Sequence, residues 1–417
     1  MSFSRRELMK LAGAGLLAPL LTGVGNGQDR RFLFIFVRGG WDPAFVFAPV
    51  PTGSSLYQPN QSRATEVGGI TIVDASIRPR TRSFFERWAS KTCVINGFEV
   101  RSITHERCTR LVLTGKSQAD ADDWPALLAV ERSDLELPCL VVSGPSYTSR
   151  TSNAVMRLGT TGQLSTLLDG SAIFSGRHPA RIPSPTAAAR IDELVAARGS
   201  AFAAAAGVGQ NALFGTNFDE ALARLDLINA LGPQIDLSMR VEGWVPVAQR
   251  AQPALACLEL GLTRCAAVEH AGQWDATWDS HSAIERQSEH YEVLFTDLED
   301  LLDDLEGRQG PAGGSLLDET TVVVFSEMGR GPTLNAIGGK DHWTFTSAML
   351  IGDGVRGGQV IGGFDDTWLG EPINLGTGAI DSGGTRLTSS HFGATLLALG
   401  GVDPTETGAE PISAALS

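Results

Sequence analysis

Short apolar runs alternate with glycine-rich and polar loops along the chain, a pattern that predicts buried strands. The first run, residues 32–37, is apolar at every position and is followed by Arg38 and two glycines. A strand that is apolar on both faces and stopped by glycines is typical of the centre of a parallel sheet. Further runs predict strands of the same kind at residues 92–96, 137–143, 265–270 and 320–325.

A long helix is predicted between the last two of these strands, because apolar residues recur there at helical spacing with acidic residues opposite. The apolar positions are Tyr291, Leu294, Phe295, Leu298, Leu301, Leu302 and Leu305. Strands that alternate with helices predict an α/β domain with a mostly parallel sheet. Residues 183–243 are alanine-rich, have helical periodicity and lack a strand-like run, which predicts a helical insertion.

The first 27 residues have the pattern of a twin-arginine export signal. Arg5 and Arg6 precede a mildly hydrophobic run at residues 11–24, after which the chain becomes polar. That run is shorter than the roughly 20 residues of a spanning helix. The alternative is a buried helix with a basic start, which Pro19 and the neighbouring glycines disfavour. We therefore expect a periplasmic or secreted protein with its main domain at residues 28–417, in contact with a membrane only if the signal stays uncleaved.

The composition narrows the classes of function. The chain has 417 residues, 42% of them hydrophobic, which excludes bulk disorder. A net charge of −14 and a pI near 5.0 argue against nucleic acid as a partner. Five cysteines occur and none lies in a C-x-x-C pair, which excludes a zinc ribbon and a thioredoxin motif. Most of them are expected to be small buried hydrophobes, and one disulfide remains an alternative in an oxidising compartment.

Candidate metal ligands follow the predicted strands. In open α/β sheets, ligands bind at the carboxyl ends of the strands. Four of the five predicted strands are followed by acidic or histidine residues, namely Asp42, then His105, then Asp279 and His281, and finally Glu327, Asp341 and His342. Asp, Glu and His in convergent loops are the ligand set expected for zinc or manganese.

Each of these residues also has a structural alternative. An aspartate after a strand is commonly a turn or N-cap residue, and Asp279 or Ser280 could cap the helix that begins near Ala283. His105 could be a hydrogen-bonded loop residue, and Glu327 could pair with Arg330. The joint placement of these residues at several strand ends is what favours a metal site.

Five short motifs, taken in order after the export segment, resemble a known family. They are RGGWD ending at Asp42, SITH ending at His105, WDSH ending at His281, SEMGR beginning at Ser326 and GKDHW ending at Trp343. The sequence thereby resembles the secreted bacterial proteins of the domain-of-unknown-function 1501 family, within the alkaline-phosphatase-like superfamily. The resemblance extends over nearly the whole chain after the export segment.

This resemblance implies a three-layer sandwich, with a central sheet between helices and metals at the strand ends. The metal ligands that it implies are Asp42, Asp279, His281, Glu327, Asp341 and His342. It also implies Thr104 as the nucleophile, at a helix start, with His105 beside it as a second catalytic residue. The metal would be zinc or manganese, with magnesium and calcium as alternatives. This chain has Glu327–Met328 where phosphatases of the superfamily carry Asp–His, which argues against a complete second metal site.

The function implied is hydrolysis of a small anionic substrate, a phosphate or sulfate ester, by an exported metal-dependent enzyme. The metal would lower the pKa of the Thr104 hydroxyl and neutralise charge on the transferred group. The alternative is a non-catalytic secreted protein that keeps the fold and binds a secreted partner protein.

Overall fold

An eight-stranded sheet forms the centre of the computed structural model, which describes residues 27–50, 54, 56–158, 184–205, 245–273 and 277–417. Among the described residues, the strands are β1 Arg31–Val37, β2 Ser62–Val67, β3 Ile70–Ala75, β4 Thr92–Glu99, β5 Cys139–Val141, β6 Val155–Arg157, β7 Cys265–His270, β8 Thr320–Ser326, β9 Gly329–Arg330, β10 His342–Trp343, β11 Phe345–Gly352 and β12 Gln359–Ile361. The helices in the same part of the chain are α1 Pro79–Trp88, α2 His105–Thr114, α3 Trp124–Val130, α4 Pro185–Ala205, α5 Val247–Arg250, α6 Gln252–Glu259, α7 Arg286–Gly307 and α8 Ser389–Leu399.

The central sheet is mostly parallel, as predicted. Its strand order is β12-β4-β11-β8-β1-β7-β5-β6, and β11 alone runs antiparallel to its neighbours β4 and β8. The five predicted strands are present as β1, β4, β5, β7 and β8, and the long predicted helix is α7. The α/β fold class expected from the sequence is therefore confirmed.

Two apolar layers cover the two faces of the sheet. Along β1, Leu33 and Ile35 face a core that α1, α6 and α7 complete. Phe32 and Phe34 face the opposite core, which α2, α3 and α8 complete. A strand with both faces buried has no polar alternation, which is why β1 is a continuous apolar run. The result is a three-layer sandwich.

The topology brings three loops to one edge of the sheet. Strands β7, β1 and β8 are neighbours and run parallel, so the loops at residues 277–281, 38–42 and 327–328 leave the sheet at the same end. The short antiparallel pair of β9 and β10 then places His342 opposite Arg330. Most of the predicted metal ligands lie on these segments.

Other sequence features concern segments that the structure describes only in part. Of the predicted insertion at residues 183–243, helix α4 is described and residues 206–243 lie outside the described part. The export segment, residues 1–26, also lies outside it. No helix among the described residues is long and apolar enough to cross a membrane. All five cysteines are buried and free of disulfides.

Candidate metal site

Three histidines turn toward the carboxylate of Asp279 at the carboxyl edge of the sheet. The Oδ1 atom of Asp279 lies 3.2 Å from His342 Nε2 and 3.4 Å from His281 Nε2. Its Oδ2 atom lies 3.2 Å from Nε2 of His105. The Nε2 atoms of His281 and His342 are themselves only 2.9 Å apart. Four side chains from three separate loops therefore converge on one small volume.

The outer nitrogen of each ring is held by an acceptor. His342 Nδ1 lies 2.6 Å from the carbonyl oxygen of Ile103, His281 Nδ1 lies 3.2 Å from Asp341 Oδ1, and His105 Nδ1 lies 2.8 Å from Glu327 Oε1. Carbonyl and carboxylate oxygens only accept hydrogen bonds, so each Nδ1 must carry the proton. In the neutral state each ring then directs the lone pair of Nε2 into the cluster.

This arrangement fits a cation. Two imidazole lone pairs and a carboxylate oxygen cannot satisfy one another without a proton or a metal between them. Ligand atoms of His105, Asp279 and His342 all lie within 4.8 Å of one another. Imidazole nitrogens with a carboxylate oxygen suit zinc and manganese, and outer hydrogen bonds from Nδ1 are the usual support of such ligands.

Arg330 keeps Asp279 ionised. Its buried guanidinium donates to Asp279 Oδ1 at 2.7 Å, to Gly40 O at 2.9 Å and to the carbonyl oxygens of Gly39 and Trp278. Although burial raises the pKa of Asp279, the hydrogen bond and charge of Arg330 outweigh it and lower this pKa to about 2. Arg330 is thus the partner of Asp279, whereas the alternative that the sequence left open was a pairing of Arg330 with Glu327.

Glu327 is a buried carboxylate that lies behind His105 and accepts several hydrogen bonds. It is 1% exposed and accepts hydrogen bonds from Gly39 N at 2.9 and 3.1 Å and from Ser326 Oγ at 3.1 Å, in addition to His105. Gly39 has φ +119°, and a Cβ there would lie 2.7 Å from Asp279 N, so glycine is required for this close approach. The hydrogen bond that His105 donates to Glu327 raises the pKa of His105. Glu327 therefore orients the His105 ring from behind.

Asp341 has a similar position behind His281, but on the surface. It accepts hydrogen bonds from Asn335 and His281, which lower the pKa of its exposed carboxyl group. The ring of His342, in contrast, has a lowered pKa because burial disfavours its charged form. A lowered pKa keeps the His342 nitrogen free of a proton and suits it to a metal.

Asp42 lies apart from these contacts. Its buried carboxylate forms an ion pair with Lys340, 2.7 Å from Asp42 Oδ2 to Nζ, and its Oδ1 accepts from Ala44 N at 3.1 Å. The Lys340 ammonium also lies 5.3 Å from the centre of the Tyr57 ring. The carboxylate of Asp42 is therefore paired with Lys340, and its expected role as a metal ligand stays a prediction.

Thr104, the expected nucleophile, is the N-cap residue of α2. It is exposed, and its Oγ1 lies 3.4 Å from Oγ of Ser102. The next residue, His105, is the first of the helix and reaches into the cluster. Thr104 thus lies one residue from His105, a candidate ligand of the candidate metal site.

A cavity of about 430 Å³ opens beside the cluster. One part of its wall consists of His105, Asp279 and Glu327, and another includes Arg38, Tyr147 and Glu269. This volume is within the usual range of small-molecule sites. A small substrate could therefore reach Asp279 and His105 from the cavity.

Two charged residues of this region have ion-pair partners that the sequence did not predict. Arg330 pairs with Asp279 and Lys340 pairs with Asp42. Lys340 directly precedes the Asp341–His342 motif, which is the only signal that marked it. Nothing in the local pattern links Arg330 with Asp279.

A family model described as a protein of unknown function (DUF1501) matches residues 247–411. The matched range includes Asp279, His281, Glu327 and His342, and it begins after Thr104. No curated protein matches the chain significantly.

Several solved structures are similar to this chain over most of its length. The lipoteichoic acid synthase LtaP from Listeria monocytogenes is 10% identical with a TM-score of 0.39, and the match covers 96% of this chain and 78% of that one. A protein of the alkaline phosphatase superfamily from Vibrio parahaemolyticus is 10% identical with a TM-score of 0.32, covering 100% and 78%. The phosphoethanolamine transferase EptA from Neisseria meningitidis is 10% identical with a TM-score of 0.37, covering 96% and 61%.

Proposed function

We propose that this chain is a metal-dependent hydrolase of a small phosphate or sulfate ester. In this proposal one zinc or manganese ion is held by His105, His281, His342 and Asp279. The observation that supports it most is the 2.9 Å approach of the Nε2 atoms of His281 and His342, two rings whose Nδ1 protons are already donated elsewhere. A cation is the group that such an arrangement of lone pairs accommodates.

The roles of the remaining candidates follow from their contacts. Glu327 and Asp341 orient His105 and His281 as hydrogen-bond acceptors, so we propose them as supports of the ligands. Asp42 is neutralised by Lys340 and is proposed to fix the loop after β1. His105, expected beside the nucleophile as a catalytic residue, is proposed as a ligand.

When bound, the ion supplies positive charge that polarises the ester and offsets the charge of the transferred group. We propose the Oγ1 atom of Thr104 as the nucleophile, because the amino end of a helix favours negative charge there. Attack forms a bond from Oγ1 to phosphorus or sulfur and breaks the bond to the ester oxygen. The proton of the Thr104 hydroxyl ends on the departing alcohol, and water then releases phosphate or sulfate from Thr104.

The test combines metal content with turnover. Purified protein should contain about one zinc or manganese ion per chain and should hydrolyse either 4-nitrophenyl phosphate or 4-nitrophenyl sulfate. Chelation should remove both the ion and the activity, and re-addition of the ion should restore them. Protein that binds no divalent ion after incubation with zinc and with manganese would contradict the proposal. A bound ion without turnover on either ester class would favour the non-catalytic binding protein.

We also propose export through the twin-arginine pathway to the periplasm or beyond. Support comes from the sequence, where Arg5 and Arg6 precede the short apolar run of residues 11–24. Replacing both arginines by lysine keeps the charge and removes the paired guanidinium groups. The variant should remain in the cytoplasmic fraction, and unchanged periplasmic delivery would overturn this assignment.

A further inference from the structure

The cavity beside the metal site has one permanently cationic side chain among its described lining residues. This residue is Arg38, which directly follows β1 and whose side chain is 60% exposed. The remaining charged groups of the described lining are carboxylates, apart from His105. An anionic ester that enters this cavity therefore meets Arg38 as the fixed positive charge.

The backbone around Arg38 is firmly held, so the base of the side chain has a defined position. Arg38 N donates to the His270 carbonyl at 3.1 Å, and Arg38 O accepts from Trp278 N at 3.3 Å. The next amide, Gly39 N, donates to Glu327. Arg38 is thus anchored within the same hydrogen-bonded loops that carry the metal-site residues, while its guanidinium extends to the cavity.

The guanidinium has a loose partner in Glu269. The distance from Arg38 Nη1 to Glu269 Oε1 is 3.6 Å, compared with the roughly 2.7–2.9 Å of a well-formed charge-assisted hydrogen bond. Glu269 is largely buried, and this burial raises its pKa against the opposing charge of Arg38. An ion pair with one exposed member and a long contact contributes little stability, so another anion can replace it.

We propose that Arg38 binds the oxyanion group of the substrate and that Glu269 is its partner only while the cavity is empty. The ligand class is a compact tetrahedral oxyanion, phosphate or sulfate, free or as the head of an ester. A planar guanidinium binds two oxygens of such a group side by side, which an ammonium does not. This inference rests on the proposed function, because it assigns that substrate a binding residue.

The test measures binding of inorganic phosphate and inorganic sulfate to zinc-loaded protein by calorimetry. Arg38→Gln should weaken binding of the preferred anion about tenfold or more, because charged hydrogen bonds are lost. Glu269→Gln should strengthen binding about twofold to fivefold, because the competing carboxylate is removed. The double variant should bind as weakly as Arg38→Gln alone. Zinc content should stay unchanged in all three.

A matched control is available in the hairpin of β2 and β3. Arg63 is also exposed and pairs with a largely buried carboxylate, Asp74, at 3.3 Å. Arg63→Gln changes the net charge equally and should leave anion binding unchanged. If Arg38→Gln binds phosphate and sulfate as Arg63→Gln does, or if Glu269→Gln weakens binding, the assignment of Arg38 is wrong.

Measurements of turnover distinguish a failure of this inference from a failure of the proposed function. A protein that hydrolyses neither ester, but whose oxyanion binding depends on Arg38, contradicts the hydrolase and retains the anion site. A protein that hydrolyses an ester with full anion binding in Arg38→Gln contradicts the anion site alone. Wild-type protein that binds neither phosphate nor sulfate contradicts the inference as well.

Discussion

The Nε2 atoms of His281 and His342 face each other at 2.9 Å, and in the neutral rings both of these nitrogens carry a lone pair. The Nδ1 proton of His281 goes to Asp341, and that of His342 goes to the carbonyl of Ile103. Two neutral rings in these tautomers repel each other through their Nε2 lone pairs. A cation between the rings is instead attracted by both lone pairs. The geometry thus brings two loops, residues 277–282 and 340–343, together where the two nitrogens need a proton or a cation between them.

Loss of one of these ligands should reduce metal content and stability together. We expect His342→Ala to weaken zinc binding by more than the roughly 10–100-fold that removal of an outer partner causes. The variant should also lose the thermal stabilisation that zinc gives the wild type, because an ion that binds only the native state stabilises it by mass action. Metal analysis after dialysis and thermal unfolding with and without zinc measure the two effects.

His391→Gln is a suitable control for this experiment. His391 is a half-buried histidine at the third position of α8, where it accepts from the amide of Thr388 in a capping box. Glutamine is an ordinary residue for that position, so the cap is kept. The control should retain full zinc content. Equal zinc content in His342→Ala and in His391→Gln would show that His342 is not a ligand.

Glu327→Gln should weaken the metal site without removing a ligand. The hydrogen bond to Glu327 is the largest contribution that raises the pKa of His105, so glutamine should lower this pKa in metal-free protein. We expect zinc affinity to fall about 10–100-fold, because the ring is less firmly oriented and less basic. Zinc titration and NMR titration of the His105 ring are the measurements.

The control for Glu327→Gln is Glu299→Gln. Glu299 is also largely buried, lies on α7 and contacts Arg80 and Ser83. The Glu299→Gln substitution should leave both the zinc affinity and the His105 pKa unchanged. Wild-type zinc affinity in Glu327→Gln would show that Glu327 does not support the metal site.

The buried ion pair of Asp42 and Lys340 should matter for stability and not for metal content. Lys340→Met leaves the Asp42 carboxylate buried and unpaired, which should destabilise the protein by about 3–5 kcal/mol. Combining it with Asp42→Asn should cost less than the sum of the two single changes, since the unpaired charge is gone. Denaturant unfolding of the wild type, the two single variants and the double variant measures this difference. Loss of zinc in Asp42→Asn, with Lys340 in place, would make Asp42 a ligand after all.

The sequence was a good guide to the central strands and a poor guide to β11. Strand β1 has both faces buried, so hydrophobicity alone marks it. Strand β11 begins with Phe345, Thr346 and Ser347, of which the last two are polar and yet buried. Its polar start continues the loop motif that ends at Trp343, and its antiparallel direction depends on a pairing that no local pattern encodes.

The same limit applies to the site. Position after a strand correctly marked Asp279, His281 and His342 as residues of one edge, because the carboxyl ends of parallel strands meet there. The partner of each carboxylate was not predictable, since Arg330 and Asp279 are 51 positions apart and meet because β7 and β8, the strands that precede them, both flank β1 in the sheet. Local pattern identifies the loops, and tertiary contacts decide which charges pair.

Acid should destabilise the protein through His290, which lies buried on α7. Burial, and to a lesser degree Arg286, lowers the pKa of His290 to about 4, below the roughly 6.5 of an unfolded histidine. As the pH drops from about 6.5 to 4, the histidine binds a proton in the unfolded chain while His290 stays neutral in the native state. The stability of the native state therefore falls over this range. The loss from this one residue is about 3 kcal/mol. His290→Gln, which keeps an acceptor for the amide of Gln273, should lose less stability in this pH range, and urea unfolding at pH 7 and pH 4 measures the difference.

Thr104→Ala should separate the nucleophile from the metal ligands. A methyl group cannot attack an ester, so turnover should fall by several orders of magnitude, on the order of 10⁶ where a hydroxyl nucleophile is removed from an intact site. Zinc content and thermal stability should stay near wild type, because Thr104 is exposed and its side chain does not cap α2. Thr104→Ser, which keeps a hydroxyl, should retain substantial turnover. Near-normal turnover in Thr104→Ala would shift the role to Ser102, whose Oγ lies 3.4 Å from Oγ1 of Thr104, and Ser102→Ala should then be the inactive variant.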